Sequence, residues 1–324
     1  MKILVTGGAG FIGSHLIIRL LDEGHKVICI DNLNAYYDPK LKEDRLRQFL
    51  DKIKFYKVDI TDKEALEIVF LEEKIDKICH LAAQAGVRYS LENPFIYADT
   101  NYIGTLNILE LAKKYKIKDI VFASTSSIYG MNKRMPFKED DVVDNPVSIY
   151  AATKRGCELL GYSYCHLYGL NFIALRFFTV YGEYGRPDMA LFKFTEAILN
   201  GKKIDVYNKG KMERDFTYVG DIVEGFLKAV EKIGVKGKNL DGFNIINLGC
   251  GNPVKLMDFI SVLEKKLGKK AKKNMMKMQP GDVVKTYADI SKARRVLGYK
   301  PKVMVEDGVK RFVSWYKGYY GVKI

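Results

Sequence analysis

Short β-branched runs alternate with amphipathic stretches through the first half of the chain. Residues 2–6, 27–31, 53–58, 75–80 and 120–124 read as strands. Between them, apolar residues at helical spacing predict helices over 11–24, 64–71 and 95–114. A long helical pattern over 150–168 leads into a sixth strand, 172–177. Strands separated by helices of roughly 10 to 15 residues predict right-handed βαβ crossovers and a mostly parallel sheet. After Thr179 the alternation loosens, and Gly201, Gly210, Gly242 and Gly251 break the chain into shorter elements. The expected class is α/β: a Rossmann-type, doubly wound parallel sheet over 1–178, rejoined by a segment around 216–247. A smaller α/β substrate-binding domain is expected over 179–324.

Composition narrows the function classes. The 324 residues are 48% hydrophobic and 28% charged, too ordinary for a disordered or fibrous chain. No run reaches the about 18 apolar residues of a membrane span, and the chain opens directly on a strand pattern instead of a secretory signal. Five scattered cysteines without a CxxC pair predict reduced thiols in a cytoplasmic protein, with neither disulfide nor metal site. The net charge of +14 favours anionic partners. Its densest cluster, Lys265, Lys266, Lys269, Lys270, Lys272, Lys273 and Lys277, carries no interleaved aromatics to stack on bases. It reads as a solvated helix end and loop, so neither nucleic acid nor membrane is expected as a partner.

Chemistry begins at the first strand-to-helix turn, Thr6-Gly7-Gly8-Ala9-Gly10-Phe11-Ile12-Gly13. Glycine at 7, 10 and 13 permits a tight turn, close approach of backbone amides to a pyrophosphate, and close packing of helix on strand. The second strand ends in Asp31, which can accept both ribose hydroxyls of an adenosine and repels a 2′-phosphate, so the expected cofactor is NAD. Asp59, at the end of the third strand, reads either as a partner for the adenine amino group or as a solvent-facing carboxylate.

Tyr150 and Lys154 stand four apart at the start of a predicted helix, so they share one face. A nearby ammonium, together with the positive nicotinamide ring, favours phenolate and makes the tyrosine a usable base. The fifth strand opens into Thr125-Ser126-Ser127-Ile128-Tyr129-Gly130, and hydroxyls at the carboxyl end of a parallel strand face the ligand crevice. Thr125 is placed against the reacting hydroxyl. Arg88, Arg186 and Arg214 are among the few arginines, and their planar forks suit carboxylate and diphosphate.

Together these segments resemble the extended short-chain dehydrogenase/reductases that act on nucleotide sugars. Five stretches are similar to the UDP-glucuronate 4-epimerase family in particular. They are Asp31-Asn32-Leu33-Asn34-Ala35-Tyr36-Tyr37-Asp38-Pro39, Ala82-Ala83-Gln84-Ala85-Gly86-Val87-Arg88-Tyr89-Ser90, Arg176-Phe177-Phe178-Thr179-Val180-Tyr181-Gly182, Gly185-Arg186-Pro187-Asp188-Met189-Ala190-Leu191-Phe192 and Gln279-Pro280-Gly281-Asp282-Val283.

The resemblance implies cofactor contacts from Gly7, Gly10, Phe11, Ile12, Gly13, Asp31, Asn32, Asp59, Ile60, Leu81, Ala82, Ala83, Asn101, Tyr150 and Lys154. It implies that Arg88, Thr125, Ser126, Ser127, Thr179 and Arg186 face the sugar, that Arg214 binds the diphosphate, and that Gln279 and Asp282 lie near the phosphate and uridine ribose. Gln279 stands where many relatives carry arginine, and Gly220 replaces a more usual aspartate beside Asp221. The implied activity is C4 epimerisation of UDP-glucuronate to UDP-galacturonate through a 4-keto sugar, with Thr125, Tyr150 and Lys154 as catalytic residues and a homodimer as the assembly. Related dehydratases and decarboxylases carry acids where Ser126 and Ser127 stand here. The alternatives are a 4-epimerase of UDP-glucose/galactose or a UDP-N-acetylhexosamine, and an NAD-binding sensor without turnover.

Overall fold

The computed structural model describes residues 1–238 and 240–322. Position 239, inside the expected returning segment, and the last two positions of the expected second domain lie outside the described residues. All six predicted strands form: β1 Lys2–Thr6, β2 Lys26–Ile30, β3 Lys54–Tyr56, β4 Lys77–His80, β5 Asp119–Thr125 and β6 Asn171–Phe177. A further strand, Phe243–Leu248, pairs with β6, giving a seven-stranded sheet in the order Phe243–Leu248, β6, β5, β4, β1, β2, β3. Every neighbouring pair in it is parallel.

Side chains alternate between the two faces of this sheet. In β1, Ile3 and Val5 enter one core with Leu16, Ile17 and Leu20 of the helix Phe11–Asp22. Leu4 enters the other with Ile108, Leu109 and Leu111 of Gly104–Lys114. A parallel sheet covered on both faces leaves its ligand site outside the carboxyl ends of the strands, where the strand order reverses between β1 and β4.

The expected helix over 95–114 is divided. An α-helical turn, Pro94–Tyr97, passes into a π-helical segment, Ala98–Ile103, and then into Gly104–Lys114. At Gly104 a Cβ would lie 2.5 Å from Ile60 Cδ1, so glycine lets this helix approach the loop after β3. The helix Pro39–Arg47 was not expected from the pattern: its inward residues are Leu41, Lys42, Arg45 and Leu46, half of them cationic.

The second half contributes three two-stranded pairings: Thr179–Tyr181 with Phe216–Tyr218, Glu213–Arg214 with Val254–Lys255, and Lys203–Val206 with Lys272–Met275. The last corrects the view of the lysine cluster as helix end and loop alone. Lys272 and Lys273 lie in a strand, and Lys270 (3.0 Å) and Lys273 both pair with the nearly buried Glu264. A buried carboxylate needs such partners.

Candidate active site

Thr6 ends β1 and its hydroxyl binds the next strand's loop: Oγ1 accepts from the amides of Leu81 (3.2 Å) and Ala82 (3.1 Å) and meets His80 Nδ1 at 2.7 Å. Burial pushes His80 down to about 3, so its ring is a neutral bridge onward to Thr105 (3.0 Å). These bonds hold two strand ends side by side. Gly7 then turns with φ +72° and Gly10 N–H donates to Gly7 O at 3.0 Å. A Cβ on Gly13 would sit 2.2 Å from that same oxygen, and one on Gly7 2.7 Å from Ala82 N. No side chain among the described residues caps the helix Phe11–Asp22, leaving its amino end open to a ligand.

Behind this turn, Asp31 accepts from Ala9 N–H (3.1 Å) and Leu33 N–H (2.9 Å). Burial pushes its carboxyl up, while those bonds and the nearby Lys42 and Arg45 oppose the rise. Asn32 donates to Asp59 (2.7 Å), which also accepts from Thr61 N–H (2.8 Å) and Thr61 Oγ1 (2.7 Å). Burial works to raise the Asp59 carboxyl, but these bonds prevail and hold it below its usual range.

Across the cleft, Thr125 closes β5 and accepts from Ser127 N–H at 3.1 Å while donating to Ser127 Oγ at 3.1 Å. Ser148 caps the helix Ile149–Tyr168 through Ala151 N–H (3.1 Å), which places Tyr150 in its first turn and Lys154 in its second. Burial raises the Tyr150 phenol, and the neighbouring Thr125 hydroxyl and Arg186 guanidinium act against the rise. Burial drives Lys154 down to about 8, and its ammonium lies 4.2 Å from the centre of the Phe122 ring. Arg186 thus joins the two cations expected to favour the phenolate, Lys154 and the nicotinamide ring of a bound NAD.

These residues enclose a cleft of about 330 Å³. Gly7, Gly10, Phe11, Ile12, Gly13, Asp31, Asn32, Ile60, Leu81, Ala82 and Ala83 line it, with Thr125, Ser126, Ser127, Tyr150, Lys154, Thr179 and Arg186. Six expected site residues are not on its wall. Asp59 lies behind the wall and accepts from Asn32, which lines it. Asn101 exchanges bonds with the Gln84 backbone (2.8 and 3.1 Å) and donates to Thr153 (3.1 Å), because the π-helical segment turns it toward that loop. Arg88, expected against the sugar, stacks on the Tyr207 ring (4.5 Å) and pairs with Asp282 (3.4 Å). Gly86, with φ +112°, redirects the chain just before it. Arg214 lies within the field of both Asp282 and Arg88, and burial lowers its pKa. Gln279 keeps Oε1 buried without a partner among the described residues. Arg88, Tyr207, Arg214 and Asp282 thus form a second, basic group.

Sequence reasoning assigned no role to Tyr36, Lys42, Gln84, Asp188 or Tyr207. Lys42 is nearly buried, lines the cleft and donates to Asn34 O and Oδ1 at 2.8 Å. Gln84 also lines it, with Nε2 buried and unpaired among the described residues. The signal for Tyr36, Lys42 and Gln84 was their position in or just after the segments similar to the 4-epimerase family, although polarity alone did not distinguish them from loop residues. The cradle that Cβ atoms would fill, the orphaned amide and the acceptor Asp31 together fit a dinucleotide. No group of three or more potential metal ligands occurs among the described residues.

A sequence model described as GDP-mannose 4,6 dehydratase matches residues 4–312. The chain is 48% identical over 317 residues to a UDP-glucuronate 4-epimerase of Thermodesulfobacterium geofontis, covering 97% of this chain and 95% of that protein. It is 47% identical over 334 residues to a probable UDP-glucuronate 4-epimerase of Rhizobium meliloti, covering 99% and 98%. The crystal structure of a UDP-glucuronic acid 4-epimerase from Bacillus cereus, in complex with UDP-glucuronic acid and NAD, superposes with a TM-score of 0.92 at 37% identity. That match covers 99% of this chain and 100% of the other.

Proposed function

Because the chain belongs to the UDP-glucuronate 4-epimerase family, within the wider family described as GDP-mannose 4,6 dehydratase, we propose that it interconverts UDP-glucuronate and UDP-galacturonate. The reaction inverts C4 through a 4-keto sugar, and NAD is the cofactor. The observation that carries this reading is the composition of the cleft wall: Thr125, Tyr150 and Lys154 converge beside the glycine cradle, and Asp31 is the only carboxylate among the lining residues.

In this reading Gly7, Gly10, Gly13 and Asp31 hold the cofactor, and Lys154 and Lys42 support its riboses. When bound, NAD accepts hydride from C4, returns it to the opposite face, and adds a positive ring near the phenol. Tyr150 removes the O4 proton, with Thr125 sharing it, and later returns it. The Arg186 guanidinium acts with a bound nicotinamide ring in favouring ionisation of a phenol whose pKa burial raises.

A 4-keto uronic acid is a β-keto acid and loses carbon dioxide when its carboxylate stands perpendicular to the ketone. Ser126, Ser127 and Thr179 supply neutral hydroxyls that hold the carboxylate near the ring plane, and Arg186 adds a charged donor. No acid stands at Ser126 or Ser127 to drive dehydration or decarboxylation. The nucleotide occupies the second basic group, with Arg214 toward the diphosphate and Asp282 and Gln279 toward the ribose.

Three coarser readings accompany this one. The cofactor portion is 1–178 with the 216–247 segment, and the remainder carries the nucleotide sugar. The enzyme works as a homodimer through the helices Ile149–Tyr168 and Gly104–Lys114. The exposure of Leu159 (52%), Tyr162 (57%) and Leu167 (63%) supports that face. It works in the cytoplasm, which its unpaired cysteines favour; no helix among the described residues is long and apolar enough to cross a membrane.

The test is NMR analysis of products after incubation with UDP-glucuronate and no added cofactor. UDP-galacturonate is expected. Turnover of UDP-glucose or a UDP-N-acetylhexosamine, with UDP-glucuronate untouched, would make this a neutral-sugar epimerase. Bound NAD without turnover of any UDP-sugar would make it a sensor.

A further inference from the structure

Building on the acidic-sugar reading above, we infer that Asp188 and Tyr36 are positioning residues that set how firmly Arg186 grips the substrate carboxylate. Arg186 is not a bare cation. Its Nε donates to Asp188 Oδ1 at 2.9 Å and its Nη2 to Asp188 Oδ2 at 2.5 Å, a two-point pair at the cleft wall. Asp188 Oδ2 also accepts from Tyr36 Oη at 3.2 Å. The three residues come from two distant loops, one after β2 and one after the strand Thr179–Tyr181.

The arrangement has two physical effects. The first is orientation. With the Nε edge of the guanidinium taken by Asp188, the plane is fixed, and Nη1 has no protein partner among the described residues. A Cβ at Gly86 would lie 3.4 Å from Arg186 Nη2 and 3.1 Å from Tyr36 Oη, so glycine keeps space beside this assembly. Its support continues through aromatic rings: Tyr36 packs on Tyr89 (5.0 Å between centroids), Tyr89 on Tyr97 (6.2 Å) and Tyr97 edge-on against Tyr150 (6.1 Å). The carboxylate anchor and the proposed base therefore share one scaffold.

The second effect is charge balance. A guanidinium already paired with a carboxylate attracts a second carboxylate far less than a free one does. Inversion at C4 requires the keto sugar to let go, turn and rebind through its other face. A full ion pair to the substrate would stabilise the docked states but not the turning state between them, and so slow that turn, a gain in binding at a loss in rate. Asp188 holds Arg186 in place while cancelling most of its field, and Tyr36 holds Asp188.

The test compares wild type with Asp188→Asn, which keeps the shape and one acceptor but removes the charge. Binding of UDP-glucuronate and of UDP-glucose is measured by calorimetry on the NAD-loaded protein, and kcat is measured with UDP-glucuronate. The expected result is a Kd for UDP-glucuronate lower by roughly three- to tenfold, a kcat lower by about tenfold, and a Kd for UDP-glucose within about twofold of wild type. Tyr36→Phe, which removes only a hydroxyl, is expected to move the same quantities in the same direction by less, and it decides the matter if Asp188→Asn does not fold. Unchanged or weaker UDP-glucuronate binding, or equal shifts for both sugars, overturns the inference. If wild type fails to epimerise UDP-glucuronate, the functional reading itself falls and takes this one with it; if wild type succeeds and the split is absent, only this inference falls.

Discussion

Glu158, one helical turn beyond Lys154, binds Arg176 of β6 through two parallel hydrogen bonds, Nε to Oε1 at 3.0 Å and Nη2 to Oε2 at 2.9 Å, with both side chains wholly out of solvent. The same carboxylate accepts from Ser124 Oγ at 2.7 Å, the residue before Thr125. Helix, β5 and β6 are thereby tied together just below the reacting groups. Removing one partner of such a pair leaves a buried charge and costs about 3–5 kcal/mol. Arg176→Met is expected to lower stability by that order in urea unfolding, and Arg176→Met with Glu158→Leu to recover most of it. If the pair also fixes the register of Tyr150 against Thr125, kcat stays low in the double variant although stability returns. Full recovery of both would reduce the pair to a fold-stabilising role.

Tyr150→Phe removes the proton acceptor and leaves the glycine cradle and Asp31 intact. Turnover is expected to fall by at least about 100-fold, the lower range for loss of a general base. NAD affinity, read by calorimetry, stays within a few-fold of wild type. Undiminished conversion would remove Tyr150 from the chemistry altogether.

Lys154 gives a pH signature. Burial brings its pKa from 10.5 to about 8. Between those values the unfolded chain keeps the proton and the folded chain sheds it, so raising the pH through this window favours the folded state. Below about 8 both are protonated and the cost of the buried charge, roughly 3 kcal/mol, is fully present. Lys154→Met is therefore expected to be more stable than wild type at pH 7 by that order, with the gap shrinking toward pH 10.5. A gap in urea midpoints that does not change with pH would show that the ammonium is solvated in the folded protein.

Thr179 supplies one of the neutral hydroxyls assigned to the substrate carboxylate. Losing one such bond costs about 1 kcal/mol, so Thr179→Ala is expected to raise carbon dioxide release per turnover several-fold, up to about tenfold. The measurement is labelled carbon dioxide from carboxyl-labelled UDP-glucuronate, counted against epimer formed. Slower epimerisation with no change in that ratio would exclude a restraining role for Thr179.

The features legible in the sequence were those with a local cause. Six strands carry β-branched runs, Gly7, Gly10 and Gly13 permit contacts that only glycine allows, and Tyr150 and Lys154 share a face by helical spacing. Most of the cleft wall follows from these. The helix Pro39–Arg47 was not legible because its buried side includes Lys42 and Arg45, whose burial is licensed by partners outside the helix: Lys42 donates to Asn34 in the preceding loop, and Arg45 Nη2 to the distant Tyr184 O at 2.6 Å. That Arg88 stands off the cleft wall was hidden for a similar reason. Its guanidinium is held by Tyr207 and Asp282, neither of which its own segment reveals. Asn101 depended on a π-helical register, which periodicity does not encode. The pairing of Arg186 with Asp188 lies two residues apart in sequence, yet its meaning arises only when Tyr36 arrives from the far side of the cleft.

The strand Phe243–Leu248 has a consequence for how the molecule is made. It completes the sheet beside β6 but is synthesised long after it, once the intervening small strands and the helix Val219–Lys232 have left the ribosome. Until then β6 is a bare, apolar sheet edge, with Phe172, Ile173, Ala174 and Leu175 at a position where other chains can pair. Nascent chains that stall before residue 243 are thus the form of this protein most prone to stick to one another, and the form in which a chaperone has the most to cover.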